Sequence, residues 1–327
     1  MSFPTNLYLA ALLGSFLLSL AALPLWRAWC IRTGHVDAPG HRKIHDQPIA
    51  LAGGLAVLTG ILLPLLGGVL LLGVGDLTGA GLPEIRHGFA RRGLQLVAIL
   101  GGAVGMVILG WLDDRHELRA SVKFTGQVFI ALLVAAADVR ITLFVENAWF
   151  SYAVTVFWIL AVVNALNLMD NMNGLCAGLG AIGAGSLGCI AMLHGQYLVG
   201  TLCLLVCGAL LGFLPFNYPA ASAFLGDAGS HLVGFLLGVL AILPDFYSSK
   251  YPKMWAVFTP LLILAVPLLD MAWVVWRRWQ RGQPFYVGDT THLSHRMVQR
   301  GFSKAQATAA IWALAGACGI AAVWLNR

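Results

Sequence analysis

The chain has 327 residues, 59% of them hydrophobic and only 10% charged, with a net charge of +6. A soluble globular domain carries about 25% charged residues, so this balance, with a mean hydropathy of +0.81, excludes an ordinary soluble enzyme and points to apolar helices in a bilayer. The modest positive charge implies no nucleic-acid partner, because basic loops beside a membrane report orientation instead.

Ten apolar runs follow in chain order, at about 6–26, 51–75, 94–112, 118–136, 148–166, 174–193, 196–215, 229–244, 255–276 and 305–325. They predict an all-α, polytopic membrane bundle of about ten transmembrane helices, a single domain over 1–327, since no polar linker interrupts the pattern. Residues 1–6 hold no basic group and Arg27 and Arg32 follow the first run, which suits a retained helix rather than a cleaved signal. Loops after odd-numbered spans hold 13 of the 20 Lys and Arg; the opposite side holds 7, with Arg86, Arg91 and Arg92 running against the trend. That bias places the ends of the odd spans in the cytoplasm and both termini outside. The six cysteines, Cys30, Cys176, Cys189, Cys203, Cys207 and Cys318, form no CxxC pair and read as small packing residues. Gly178, Gly180 and Gly183 match GxGxxG, but inside an apolar span with no preceding strand, so no dinucleotide site is inferred.

Polar clusters follow the odd spans, so they share one membrane face. Asp113-Asp114-Arg115 ends span 3; adjacent carboxylates suit a divalent cation or a base, while a solvated helix end is the plainer reading. Asn164 and Asn167 close span 5, and Asp170-Asn171-Met172-Asn173-Gly174 opens span 6 with more amides than a helix cap requires. Phe216-Asn217-Tyr218-Pro219 and then Phe224-Leu225-Gly226-Asp227-Ala228-Gly229-Ser230 lead into span 8. There the glycines admit a ligand closely and the helix N-terminus offers N–H groups to an anion, although Asp227 also suits a simple cap. Asp289, His292, His295 and Arg296 lie before span 10, where they could hold metal or phosphate oxygens or form a plain basic loop. Spans 4, 6, 8 and 10 begin on this face, so four positive dipole ends point toward it. The inventory fits phosphoryl transfer, in which positioning and charge neutralisation dominate. An anion transporter would instead need charges near mid-span, where only Asp270 lies; a silent scaffold is the other alternative.

In order, Arg42-Lys43-Ile44-His45, Pro48, Gly53-Gly54, Asp113-Asp114, Asn164-Ala165-Leu166-Asn167-Leu168-Met169-Asp170, Phe216-Asn217, Phe224, Gly226-Asp227-Ala228-Gly229-Ser230 and His292–His295 resemble the polyprenyl-phosphate N-acetylhexosamine-1-phosphate transferases. That family includes the phospho-N-acetylmuramoyl-pentapeptide transferases. The resemblance implies that a polyprenyl phosphate attacks the β-phosphorus of a UDP-amino sugar and releases UMP, with Mg²⁺ (or Mn²⁺) as cofactor. It implies Asp227 as main metal ligand and Asp113 and Asp114 as base or metal-shell residues, Asp114 being the second ligand. Asn167, Asp170, Asn173, Asn217 and Phe224 would serve the nucleotide side, with Phe224 stacked on uracil. Lys43, His45, His292, His295 and Arg296 would face phosphates, with His292 and His295 counted among the catalytic groups. The partners implied are the UDP-amino sugar, the lipid and the membrane, with a homodimer left open.

Three positions depart from the family pattern: Asn173 replaces a second acid, Ala50-Leu51 stands where Pro-Arg is common, and Ser294 stands where many members have a further histidine. The His-Leu-Ser-His loop, and Arg115-His116-Glu117 after the paired acids, look more like the N-acetylglucosamine-1-phosphate type than the muramoyl-pentapeptide type. A groove for the lipid is expected beside span 9, where Pro267 and Asp270 interrupt an apolar run.

Overall fold

Apolar runs of this length satisfy their backbone polar groups only as helices when lipid surrounds them, and helices dominate. The computed structural model describes residues 3–38, 47–74, 82–247, 252–284 and 291–327. Among these the helices are α1 (Thr5–Thr33), α2 (Gly53–Val74), α3 (Leu82–His116), α4 (Ala120–Ala136), α5 (Ala148–Met169), α6 (Leu175–Leu193), α7 (Tyr197–Phe213), α8 (Gly226–Leu240), α9 (Thr259–Ile263), α10 (Ala265–Gln280), α11 (Leu293–Gln299) and α12 (Lys304–Leu325). The described strands, β1 (Val36–Asp37) and β2 (Ile49–Ala50), pair antiparallel. Seven helices are long and apolar enough to cross a membrane. The bent pair Met254–Ile263 and Ala265–Gln280 counts as an eighth if taken as one span, and α4 and α8 are shorter apolar helices at the remaining expected spans. The chain is an all-α polytopic membrane protein.

Local chemistry sets the helix ends. Ser303 caps α12 reciprocally with Gln306, Asn147 accepts the Phe150 N–H at 3.0 Å to start α5, and α1 stops at Gly34 in the left-handed region. Two boundaries differ from expectation. Helix α3 begins at Leu82 rather than near 94, because Pro83 and Glu84 suit a first turn, and the polar stretch joins the helix across a kink at Arg92. Span 9 breaks at Leu264, with a 70° bend, ahead of Pro267. Pro267 has no N–H to give the Ile263 carbonyl, so the ladder fails one turn before the proline.

Helix α8 lies at the centre, against α2, α3, α5 and α6, and is buried nearly all round. Glycines set these crossings. A Cβ at Gly110 of α3 would run into the backbone of Asp227 and Ala228, and one at Gly54 of α2 would meet that of Ala228 and Gly229. The starts of α2 and α8 are also joined by backbone bonds: Gly53 N–H donates to Phe224 O at 2.9 Å and Phe224 N–H to Ala50 O at 2.9 Å.

Candidate active site

The C-terminal ends of α3 and α5 and the N-terminal ends of α4 and α8 meet at one end of the bundle, so the expectation that odd spans share a face holds in space. Lys123, one turn into α4, places its ammonium 2.6 Å from Asp113 Oδ2 and 2.9 Å from Asp227 Oδ2. Asn167, late in α5, donates from Nδ2 to Asp227 Oδ1 at 2.7 Å and to Ser230 Oγ at 2.9 Å. Asp227 is thus held from two sides, yet about a third of its side chain (32%) is exposed.

Asp114 has a different task from its neighbour. Its two oxygens accept the N–H groups of Asp227 (2.8 Å) and Ala228 (3.1 Å), so α3 caps the start of α8 from another helix. The cap on α8 comes from α3, and the oxygens of Asp227 take donors from Asn167 and Lys123 instead. Gly226 makes the approach possible, since its φ of 71° is open to glycine and a Cβ there would press on Asp114 Oδ2. Asp113 accepts the Leu118 N–H at 2.9 Å and faces Lys123 with its other oxygen. Behind Asp227, the His231 ring donates from Nδ1 to the Asp227 carbonyl at 2.6 Å.

Asp170 caps the end of α5, partly open on one side and otherwise enclosed by protein. Burial pushes its carboxyl up to about 8, and the carboxylates of Asp227 and Asp114 push the same way. The next residues tie the site's loops together. Asn171 Oδ1 accepts from Ser294 Oγ at 2.7 Å, which docks the histidine loop against the α5–α6 turn. Asn173 Nδ2 donates to Pro219 O at 3.1 Å. A carboxylate at 173 would set oxygen against that carbonyl, so the departure from the family's acid has a local structural reason.

Asn217 is buried and both ends of its amide are engaged: Oδ1 takes the Gly174 N–H at 2.7 Å and Nδ2 donates to Ala223 O at 2.9 Å. It braces the start of α6 against the 217–223 loop. Phe224 is half-buried at the mouth of α8. His292 precedes α11 and is buried, with its ring 6.2 Å from that of His295, while the Arg296 guanidinium stacks 5.0 Å from the Trp273 ring centre. Lys43 and His45 lie outside the described residues.

Two site residues went unread in the sequence. Lys123 entered only as an orientation charge, although it heads the stripe of Gln127, Ile130 and Val134 that α4 buries. That spacing of three and four was the signal, a lysine on the inward face of a membrane helix. Asp270 was read as a groove marker; it is buried against His292.

The set of groups suits a hard divalent cation. Four acids and one lysine leave net negative charge, the donors are all oxygen, and the Lys123 ammonium already sits between Asp113 and Asp227. Among the described residues no three acid, histidine or cysteine side chains close on one point.

A family model, glycosyl transferase family 4, matches residues 96–245, the segment that carries the acids and Lys123. A Bacillus subtilis protein called a probable undecaprenyl-phosphate N-acetylglucosaminyl 1-phosphate transferase is 32% identical over 97% of this chain and 84% of its own length. The Yersinia pestis undecaprenyl-phosphate alpha-N-acetylglucosaminyl 1-phosphate transferase is 28% identical over 93% of this chain and 82% of its own length. The Mycolicibacterium smegmatis decaprenyl-phosphate N-acetylglucosaminephosphotransferase is 30% identical, with coverage of 89% and 75%. Similarity of 32% over 97% of the chain, with a family model matched across the segment that holds the acids, means that the chain belongs to glycosyl transferase family 4.

Proposed function

We propose that this protein transfers N-acetylglucosamine 1-phosphate from UDP-N-acetylglucosamine to undecaprenyl or a similar polyprenyl phosphate, to start a cell-envelope glycan. One observation carries the reading: acids from three separate stretches of the chain, Asp113-Asp114, Asp170 and Asp227, converge at one end of the bundle, with Asp227 partly exposed and Lys123 between its carboxylate and that of Asp113. An oxygen of the lipid phosphate forms the new bond to the β-phosphorus. The bond from that phosphorus to the bridging oxygen breaks, and UMP leaves with the oxygen and its electron pair. Charge placement dominates such a step.

In this reading Asp227 and Asp113 hold Mg²⁺, or Mn²⁺ in its place, and the ion when bound offsets charge on the diphosphate. Asp114, expected as the second ligand, supports the site by fixing α8 with both its oxygens. Lys123, His292, His295 and Arg296 supply positive or donor groups toward phosphates. Asp170 and Phe224 serve the nucleotide side, and Asn173 and Asn217 hold the loops that frame it. The acid cluster faces the cytoplasm, as the distribution of 13 against 7 basic residues indicates.

Purified protein given undecaprenyl phosphate and UDP-N-acetylglucosamine should release UMP and form a lipid-linked sugar with Mg²⁺ and not with EDTA. UMP release from UDP-N-acetylmuramoyl-pentapeptide in preference would keep the chemistry and change the donor. Silence with every UDP-amino sugar from folded protein would overturn the reading.

A further inference from the structure

Asp270 stands in α10, the apolar helix before the histidine loop, and its side chain is 1% exposed. A carboxylate there is costly unless its oxygens are taken up by donors. Both are. Asp270 Oδ2 lies 2.7 Å from Nδ1 of His292, itself 5% exposed, and Oδ1 accepts the Leu293 N–H at 2.6 Å. The two bonds grip consecutive residues, one by its ring and one by its backbone, where α11 begins. On its other side the same loop is tied to Asn171 by Ser294, next to Asp170.

We propose that Asp270 is a positioning residue for His292. Resting on the transferase reading above, it fixes which imidazole nitrogen is offered to a substrate phosphate. An ionised carboxylate only accepts, so the proton on Nδ1 is held toward Asp270 and the ring's remaining chemistry is confined to Nε2. The backbone bond to Leu293 sets the angle at which the ring enters, and His295 follows from the first turn of α11.

The test is the Asp270→Asn variant, which keeps size and the acceptor for Leu293 but presents an amide N–H to the ring. It should reverse the tautomer, so that ¹⁵N spectra of histidine-labelled protein show His292 protonated at Nδ1 in wild type and at Nε2 in D270N, with the signal assigned by its loss in H292A. Turnover should fall by about 10- to 100-fold, the scale seen when outer carboxylates on functional histidines are removed. The same substitution should cost nothing further in an H292A background. Equal losses in both backgrounds, or no loss in either, would overturn the proposal, as would wild-type His292 bare at Nδ1. The wild-type spectrum decides this last point even if D270N does not fold. An inactive wild type showing the Nδ1-protonated ring would instead sink the transferase reading and leave the pair standing.

Discussion

Lys123 lies 2.6 Å from Asp113 and 2.9 Å from Asp227, so replacing it with Met leaves two carboxylates facing each other without compensation. Breaking a fully buried pair costs about 3–5 kcal/mol. Here Asp227 is 32% exposed, and solvent screening brings the expectation to about 1–2 kcal/mol. Turnover should drop on the order of a hundredfold, as for other losses of positioned charge. The variant's melting temperature should rise more on adding Mg²⁺ than the wild type's does, because a second cation then relieves the acids. A K123M protein no more responsive than wild type would show that the ion uses other oxygens. Asp170 offers a prediction in pH. Its folded carboxyl sits at about 8, above an unfolded value of about 3.9, so the folded state binds the proton more tightly. Stability is therefore whole below the unfolded value and is lost as pH rises toward the folded one. In metal-free protein, Asp170→Asn should gain on wild type in melting temperature as pH rises from about 5 to about 8. A constant difference across that range would mean Asp170 is already ionised.

At the scale of elements, the crossing of α3 on α8 rests on Gly110, whose Cβ would collide with the Asp227 carbonyl. Gly110→Ala must push the helices apart where backbone meets backbone, at about 1–3 kcal/mol. It should also abolish most turnover, because Asp114 would lose its reach to the Asp227 and Ala228 N–H groups. Gly101→Ala on the same helix meets nothing within 4 Å, and should be neutral or slightly stabilising by up to about 1 kcal/mol. Similar losses in both variants would mean that helix propensity, and not the crossing, governs. The pair also shows what a sequence conceals. Hydropathy located α3 and α8, and the acids at their ends drew attention because charge is rare in this chain. Nothing in the spacing said that Asp114 would cap α8 while Asp113 turned to α4, since adjacent residues on a helix point about 100° apart and only the neighbours decide their work. Asn217 is a similar case: it looked like a ligand-binding amide, and tertiary contacts use both its ends.

For the molecule as a whole, two sets of contacts define two faces. At one, the acid cluster joins the loops that start α2, α6 and α8. At the other, Gln196 bonds Asp245, the Lys253 ammonium donates to the carbonyls of Leu325 and Arg327, and His194 meets Asn326. Alternation of ends was legible because most apolar runs are single helices, the run broken at Leu264 excepted; the kinked start of α3 was not, because its polar turns resemble a loop. The arginines there weakened the charge argument for orientation, and the structure supplies a local role for one of them: Arg92 donates to the Leu243 carbonyl at 3.4 Å. With that guanidinium engaged by the fold, the sequence count of 13 basic residues after odd spans weighs more heavily against the 7 after even ones. Full-length protein fused at Arg327 to alkaline phosphatase should therefore be enzymatically active outside the cell, and the matching green fluorescent protein fusion should stay dark. The reverse pattern would put Asp227 and Lys123 on the outer surface, away from the compartment where nucleotide sugars are made. It would leave the chemistry of the cluster intact but deprive it of its proposed donor.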